Sequence, residues 1–181
     1  LLQPDEPAPF RTIENSDIRW LIVCDHASNR IPLSLGTLGI SEEARADHIA
    51  WDIGAAKAAE RLAERLCAPA VLANYSRLVI DCNRYPDMPE AAPQIADGIV
   101  VAGNAELSQE DLARRAAEIA HPYHLEIARR IDYALDAGTR PLLLSIHSCT
   151  AVMDGAYRPW HIGLAWERDE RLTRPLVAAL E

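Results

Sequence analysis

The chain lacks any run of about 18 apolar residues, the length a membrane-spanning helix requires. Its opening, Leu1-Leu2-Gln3-Pro4, lacks an initiator Met and the basic and apolar segments of a secretory signal. It also lacks a basic excess. Lys plus Arg number 18 against 27 Asp plus Glu, a net charge of −9. Such a surface repels nucleic acid and anionic lipid, so neither is an expected partner. An acidic small molecule stays open, because arginines inside a pocket can reverse the local sign. The four cysteines, Cys24, Cys67, Cys82 and Cys149, form no CxxC pair. Three stand in apolar or strand-like runs and read as reduced thiols, which suits a cytoplasmic protein. There is no GxGxxG loop, Walker loop, GxSxG elbow or HExxH helix, which removes the usual signatures of dinucleotide, nucleotide, serine-hydrolase and zincin chemistry. No internal repeat or low-complexity tract appears.

What is present suits one α/β domain over residues 1–181. Residues 1–17 are rich in proline and acid and read as a loose lead-in. Residues 20–24, Trp-Leu-Ile-Val-Cys, read as a buried strand that stops at Asp25. A helix is expected over 41–66. Ser41 caps it, and Ile49, Ile53, Ala56, Ala59 and Leu62 form its apolar stripe. Residues 70–73 and 78–80 read as two more strands, and 85–105 as an irregular excursion facing substrate. A second helix is expected over 108–135, kinked at Pro122 and ended by Gly138. Residues 141–146 read as the clearest buried strand, and 160–166 as another candidate. Residues 171–181 read as a helix with no stop signal, so truncation at the C-terminus is expected. Alternating apolar strands and amphipathic helices point to a three-layer α/β/α fold. Its central sheet is mostly parallel or mixed and covered on both faces.

In such folds, ligands gather beyond the carboxyl ends of strands. Two histidines stand at such ends. His26 lies in Cys24-Asp25-His26-Ala27-Ser28-Asn29, and His147 in Ser145-Ile146-His147-Ser148. Imidazole is a preferred zinc ligand, and a carboxylate commonly completes a catalytic set. Asp25 or a backbone carbonyl is available to orient the second nitrogen of His26. Each histidine alone reads equally well as a locally bonded residue at a strand-to-loop junction. Asp52, within His48-Ile49-Ala50-Trp51-Asp52-Ile53-Gly54, is the best third ligand. It is expected to share a helix face with His48, and the alternative is a solvated helix pair. In Tyr75-Ser76-Arg77-Leu78-Val79-Ile80-Asp81-Cys82-Asn83-Arg84, the residues Arg77, Asn83 and Arg84 have the chemistry to grip a carboxylate. The alternative is an internal salt bridge of Asp81 with Arg77 or Arg84. His121, His124 and His161 are weaker candidates, and Glu167 reads as salt-bridged surface.

These four segments, in this order, resemble the N-formylglutamate amidohydrolase family, from about residue 20 onward. The resemblance implies a fold like that of zinc carboxypeptidases and aspartoacylase-type deacylases. It implies hydrolysis of N-formyl-L-glutamate to formate and glutamate, a late step in one route of histidine degradation. It implies Zn2+ held by His26, Asp52 and His147, with Asn83-Arg84 receiving the substrate carboxylate and Arg77 as a second basic contact. Relatives continue into a strand whose glutamate suits a general base. No segment here matches it, so the catalytic base is unassigned. Two other readings stay open. One is a deacylase for another acyl-amino acid or small peptide. The other is a non-catalytic module that binds metal or carboxylate.

Overall fold

The computed structural model describes residues 1–153 and 155–180. They fall into two compact units, Leu1–Cys149 and Thr150–Glu181. The first is built on a four-stranded sheet. Its strands are β1 (Phe10–Ile13), β2 (Trp20–Cys24), β3 (Ala70–Ala73) and β6 (Leu142–Ser145), in the order β1-β3-β2-β6. Strands β3 and β6 both run parallel to β2, and β1 runs antiparallel to β3, so the sheet is mixed.

Side-chain alternation along β2 and β3 sorts the core into two layers. Ile22, Cys24, Ala70 and Leu72 face α2 (Ala55–Leu66), which buries Ala55, Ala59 and Ala63 against them. Leu21, Val23, Val71 and Ala73 face the opposite side, where Ile119 and Tyr123 lie. Those two residues belong to one continuous helical rod. It runs through α3 (Gln109–Arg115), a π-turn (Ala116–Ala120) and α4 (His121–Asp136). Helix, sheet and helix therefore make three layers, with every β2 and β3 side chain after Trp20 buried. That is why these strands read as continuous apolar runs.

Several local expectations change. Residues 10–13 are not loose but supply β1. Leu78, Val79 and Ile80 are fully buried yet form a turn rather than a strand, closed by Val79 N–H donating to the Ser76 carbonyl at 3.0 Å. The helix over 41–66 is broken into α1 (Glu42–Ala46) and α2. Ser41 does cap the first part, its hydroxyl accepting from Ala44 N–H at 3.2 Å. The break follows from Asp47, which is extended, and from Gly54, which sits at φ +84 as the N-cap of α2. That left-handed conformation is cheap only for glycine. Ile53, expected on the apolar stripe, is exposed.

The excursion over 85–105 contains a small hairpin of β4 (Ile95–Ala96) and β5 (Ile99–Val100), turned by Asp97-Gly98, both at positive φ. At Pro122 the rod widens into the π-turn rather than simply kinking. Proline has no N–H to donate and its ring crowds the carbonyl four residues back. Accordingly, His121 N–H reaches Ala116, five residues back. Gly138, at φ +75, ends the helix as expected. Strand β6 lies at the sheet edge with alternating half-buried and exposed residues, so it is less buried than its sequence suggests.

The second unit holds a hairpin of β7 (Val152–Met153) and β8 (Ala156–Tyr157), then α5 (Thr173–Leu180). Residues 160–166 form no strand. The helix expected over 171–181 is α5, and Glu181 lies outside the described residues. No helix among the described residues is long and apolar enough to cross a membrane.

Alanine at 55, 59 and 63 sets how closely α2 approaches the sheet. Ala59→Leu is expected to cost about 1–3 kcal/mol through overpacking. A urea midpoint equal to that of the unsubstituted protein would contradict that close contact.

Candidate metal centre

The parallel direction of β2 and β6 brings both histidine-bearing loops to one edge. Val23 is in register with Ser145, and Ile146 N–H donates to the Val23 carbonyl at 2.9 Å. Asp25 and His26 therefore leave the sheet beside His147. The two imidazole centroids lie 5.0 Å apart at 63°. Asp52 reaches the same place from the break between α1 and α2. Its backbone N–H donates to the His26 carbonyl at 3.0 Å, which fixes the loop beneath the histidine. His48 does not share a face with Asp52. Its ring faces Asp47 at 2.9 Å and Asp97 at 3.0 Å.

The centre is a triangle of ligand atoms. Nδ1 of His26 lies 3.4 Å from Asp52 Oδ2, and Nδ1 of His147 lies 2.8 Å from the same oxygen. One ligand atom from each of the three residues lies within 4.8 Å of the others. Two zinc–ligand bonds of about 2.0–2.1 Å at a tetrahedral angle put their ligand atoms about 3.3 Å apart. The two Nδ1–Oδ2 edges straddle that value. His26, Asp52 and His147 thus form a cluster able to coordinate a metal ion.

The outer nitrogens explain why both rings present Nδ1. His26 Nε2 is 2.7 Å from Asp81 Oδ1. His147 Nε2 is 3.2 Å from Asp25 Oδ2 and 3.1 Å from the Ser145 hydroxyl oxygen, which itself donates to Asp25 Oδ2 at 3.0 Å. A carboxylate at Nε2 keeps a proton there and directs the Nδ1 lone pair inward. Asp25, expected beside the second nitrogen of His26, instead serves His147, and Asp81 serves His26. The salt bridge of Asp81 with Arg77 that the sequence allows is present as well, at 3.3 Å. Asp81 ends a buried apolar run just as both histidine clusters do, and that signal was readable.

Arg77 is half-buried, with Nη1 donating to Asp52 Oδ1 at 3.2 Å and Nη2 to Asp81 Oδ2 at 3.3 Å. Its fork is occupied by the carboxylates of the centre. Asn83 and Arg84 are exposed and follow Asp81 directly. Asn83 N–H donates to Asp81 Oδ1 at 2.8 Å, and Arg84 Nη1 to the Asn83 carbonyl at 3.2 Å. His124 Nε2 donates to the Cys82 carbonyl at 2.8 Å, and His121 and His161 are exposed. Glu167 pairs with Arg168 at 3.4 Å in the second unit. Cys24 and Cys82 are buried thiols, and Cys67 and Cys149 are exposed ones.

Electrostatics couple the groups tightly. Burial disfavours charge on Asp52, but bonds to His147 and His26 and the nearby positive charges outweigh it and hold its carboxyl well below the usual range. Asp25 and Asp81 are lowered in the same way, against burial, through His147 with Tyr123 and through His26 respectively. Burial opposes protonation of His26, yet its bonds to Asp52 and Asp81 raise it. Bonds to Asp25 and then Asp52 push His147 up to about 9.

A three-layer α/β domain with a His–Asp–His cluster beyond its parallel strand ends has the architecture of the zinc-carboxypeptidase-like proteins. The family model for N-formylglutamate amidohydrolase matches residues 18–181. This chain belongs to the N-formylglutamate amidohydrolase family. The crystal structure of gene product Atu2144 from Agrobacterium tumefaciens is similar to it, at 34% identity and a TM-score of 0.93, covering 98% of this chain and 71% of that one. No curated protein gives a match.

The raised His147 predicts how the metal-free protein responds to pH. A histidine raised on folding stabilises fully below its unfolded value of about 6.5 and loses that contribution as pH rises through its folded value. The melting temperature of metal-free protein should therefore fall between pH 6.5 and about 9. His147→Ala should flatten that fall, and an equal slope in both proteins would contradict the coupling.

Proposed function

We propose that this chain carries the metal centre of a zinc-dependent hydrolase that cleaves the amide bond of an N-acyl amino acid. N-formyl-L-glutamate is the best substrate, giving formate and L-glutamate. The observation that carries this reading is the convergence of His26 Nδ1 and His147 Nδ1 on Asp52 Oδ2, in a chain of this family.

In this reading His26, Asp52 and His147 hold Zn2+. The charge balance supports a divalent ion. Asp25, Asp52 and Asp81 are all buried, and Arg77 supplies one positive charge among them. With neutral imidazoles, two negative charges are left, which one divalent cation offsets. Buried charge left unpaired is costly, so the pocket favours such an ion. Bound zinc would supply Lewis acidity, polarising a carbonyl and acidifying water.

The chain's own residues then bind and orient the substrate. Asn83 and Arg84 stand exposed beside the centre and receive a carboxylate, the arginine through a bidentate fork. Arg77, committed to Asp52 and Asp81, adds positive field to the same pocket and keeps both carboxylates in place. That explains how an acidic protein holds an acidic substrate. Asp25, Asp52 and Asp81 are each bonded to a histidine, so none of them is assigned as the proton-transferring base.

The test is metal content and formate release by the full-length protein, with and without His147→Ala. The unsubstituted protein should hold about one zinc and release formate. The variant should lose at least about tenfold in metal affinity, by analogy with the effect of weaker outer-shell changes, and most of its activity. Equal metal content and equal rate in the two proteins would overturn the proposal. Tight metal and N-formylglutamate binding with no formate would favour the non-catalytic module instead.

A further inference from the structure

The two histidines of the centre are held by differently backed carboxylates. Asp81 is backed by the Arg77 guanidinium and the Asn83 N–H. Among the described residues no Lys or Arg pairs with Asp25, whose charged partner is His147 itself. Asp25 Oδ2 accepts from the Ser145 hydroxyl at 3.0 Å, and its Oδ1 accepts from the Tyr123 hydroxyl at 2.8 Å. Tyr123 is wholly buried on α4, across the sheet layer from α2. A buried phenol that spends its one proton on a carboxylate fixes that carboxylate's rotation.

The rod carrying Tyr123 is shaped for this contact. Arg115, just before the π-turn, is buried and donates to the Val79 carbonyl at 3.0 Å and to Asn104 Oδ1 at 2.7 Å. Residues eight apart on an unbroken α-helix stand about 80° apart around its axis. One residue taken up by the wider turn brings them to the offset of residues seven apart, about 20°. Arg115 and Tyr123 therefore point to the same side. One pins the loop before Asp81, and the other reaches Asp25.

We infer that Tyr123 is a positioning residue for the metal centre, acting through Asp25 on His147, and that the π-turn exists to deliver it. This rests on the metal-centre reading above. The phenol locks Asp25 so that its other oxygen holds His147 Nε2–H, which directs Nδ1 at the metal position. A neutral donor leaves Asp25 its full negative charge, so His147 is the more electron-rich of the two imidazole ligands. Asp81, already offset by Arg77, polarises His26 less.

The experiment uses Tyr123→Phe in the full-length protein, which keeps the buried ring and removes only the hydroxyl. Ser145→Ala, which removes the other donor to Asp25, is the companion variant, and Ile119→Val is the packing control. Zinc affinity is measured by chelator competition, and the visible spectrum is recorded after Co2+ substitution. Both hydroxyl variants should lose about 10-fold or more in affinity and shift the Co2+ bands. Ile119→Val should lower the melting temperature and leave both readouts unchanged. For N-formylglutamate turnover, Tyr123→Phe should reduce kcat and spare KM, because Asn83 and Arg84 are untouched. Folded Tyr123→Phe with unchanged zinc affinity and Co2+ spectrum would overturn the inference while leaving the metal centre standing. Failure of the unsubstituted protein to bind Zn2+ or Co2+ would overturn both.

Discussion

Everything in the first unit is arranged so that two imidazole nitrogens meet one carboxylate oxygen. Neither histidine could do this on a free rotamer. A ring that flips exchanges its nitrogens, and a ligand lone pair becomes an N–H. The carboxylates of Asp81 and Asp25 at the outer nitrogens remove that freedom. They in turn are held by Arg77 and Asn83 on one side and by Ser145 and Tyr123 on the other. The centre is thus a closed set of hydrogen bonds, and no buried side-chain polar atom among the described residues lacks a partner. A partly satisfied network in such a buried place would cost more than an apolar core.

The backbone makes this set possible through direction rather than through any single element. β2 and β6 run parallel with Val23 opposite Ser145, so their exits bring Asp25-His26 and His147 together. An antiparallel pair would have put one of these exits at the far end of the sheet. Asp52 has no strand to deliver it. It arrives because the chain stops being helical after Ala46 and resumes only at Ala55. Between these points its own N–H bonds to the His26 carbonyl. Asp52 is therefore attached by backbone to the His26 loop, and Gly54 supplies the conformation that lets the chain turn back into α2.

The layer order, the two strand-end histidines and the choice of Asp52 were legible in the sequence. Buried parallel strands read as unbroken apolar runs, and polar residues that end such runs must lie at an edge. What was not legible shares one cause, dependence on partners distant in sequence. The break in 41–66 is marked in the sequence by Gly54 alone, and the bond from Asp52 N–H to the His26 carbonyl, which shows what the opened chain is used for, joins residues far apart in sequence. Phe10–Ile13 looks like lead-in until β3 offers it an edge to pair with. Leu78, Val79 and Ile80 are as apolar as any strand here, but they fill a turn that Asn104 and Arg115 hold by its carbonyls. The assignment of Asp25 to His147 rather than to its neighbour His26 follows from strand pairing, which adjacency along the chain cannot reveal.

The metal-free centre already contains the logic of its cation. Three buried carboxylates and one guanidinium cannot sit together without further positive charge. In the metal-free protein the bonds between them raise both histidines and lower all three carboxylates, so each side of the cluster favours the charged form of the other. The proton on His147 Nδ1 lies on the line to Asp52 Oδ2, at the short 2.8 Å edge of the triangle. The longer 3.4 Å edge to His26 already has the spacing of two ligands on one ion. The carboxylates of the cluster thus already accommodate positive charge in the metal-free protein, at the place where His26, Asp52 and His147 could hold an ion. His147 is the more exposed histidine and follows the edge strand β6, whereas His26 is buried beyond the inner strand β2, so the fold encloses one imidazole of the cluster far more tightly than the other.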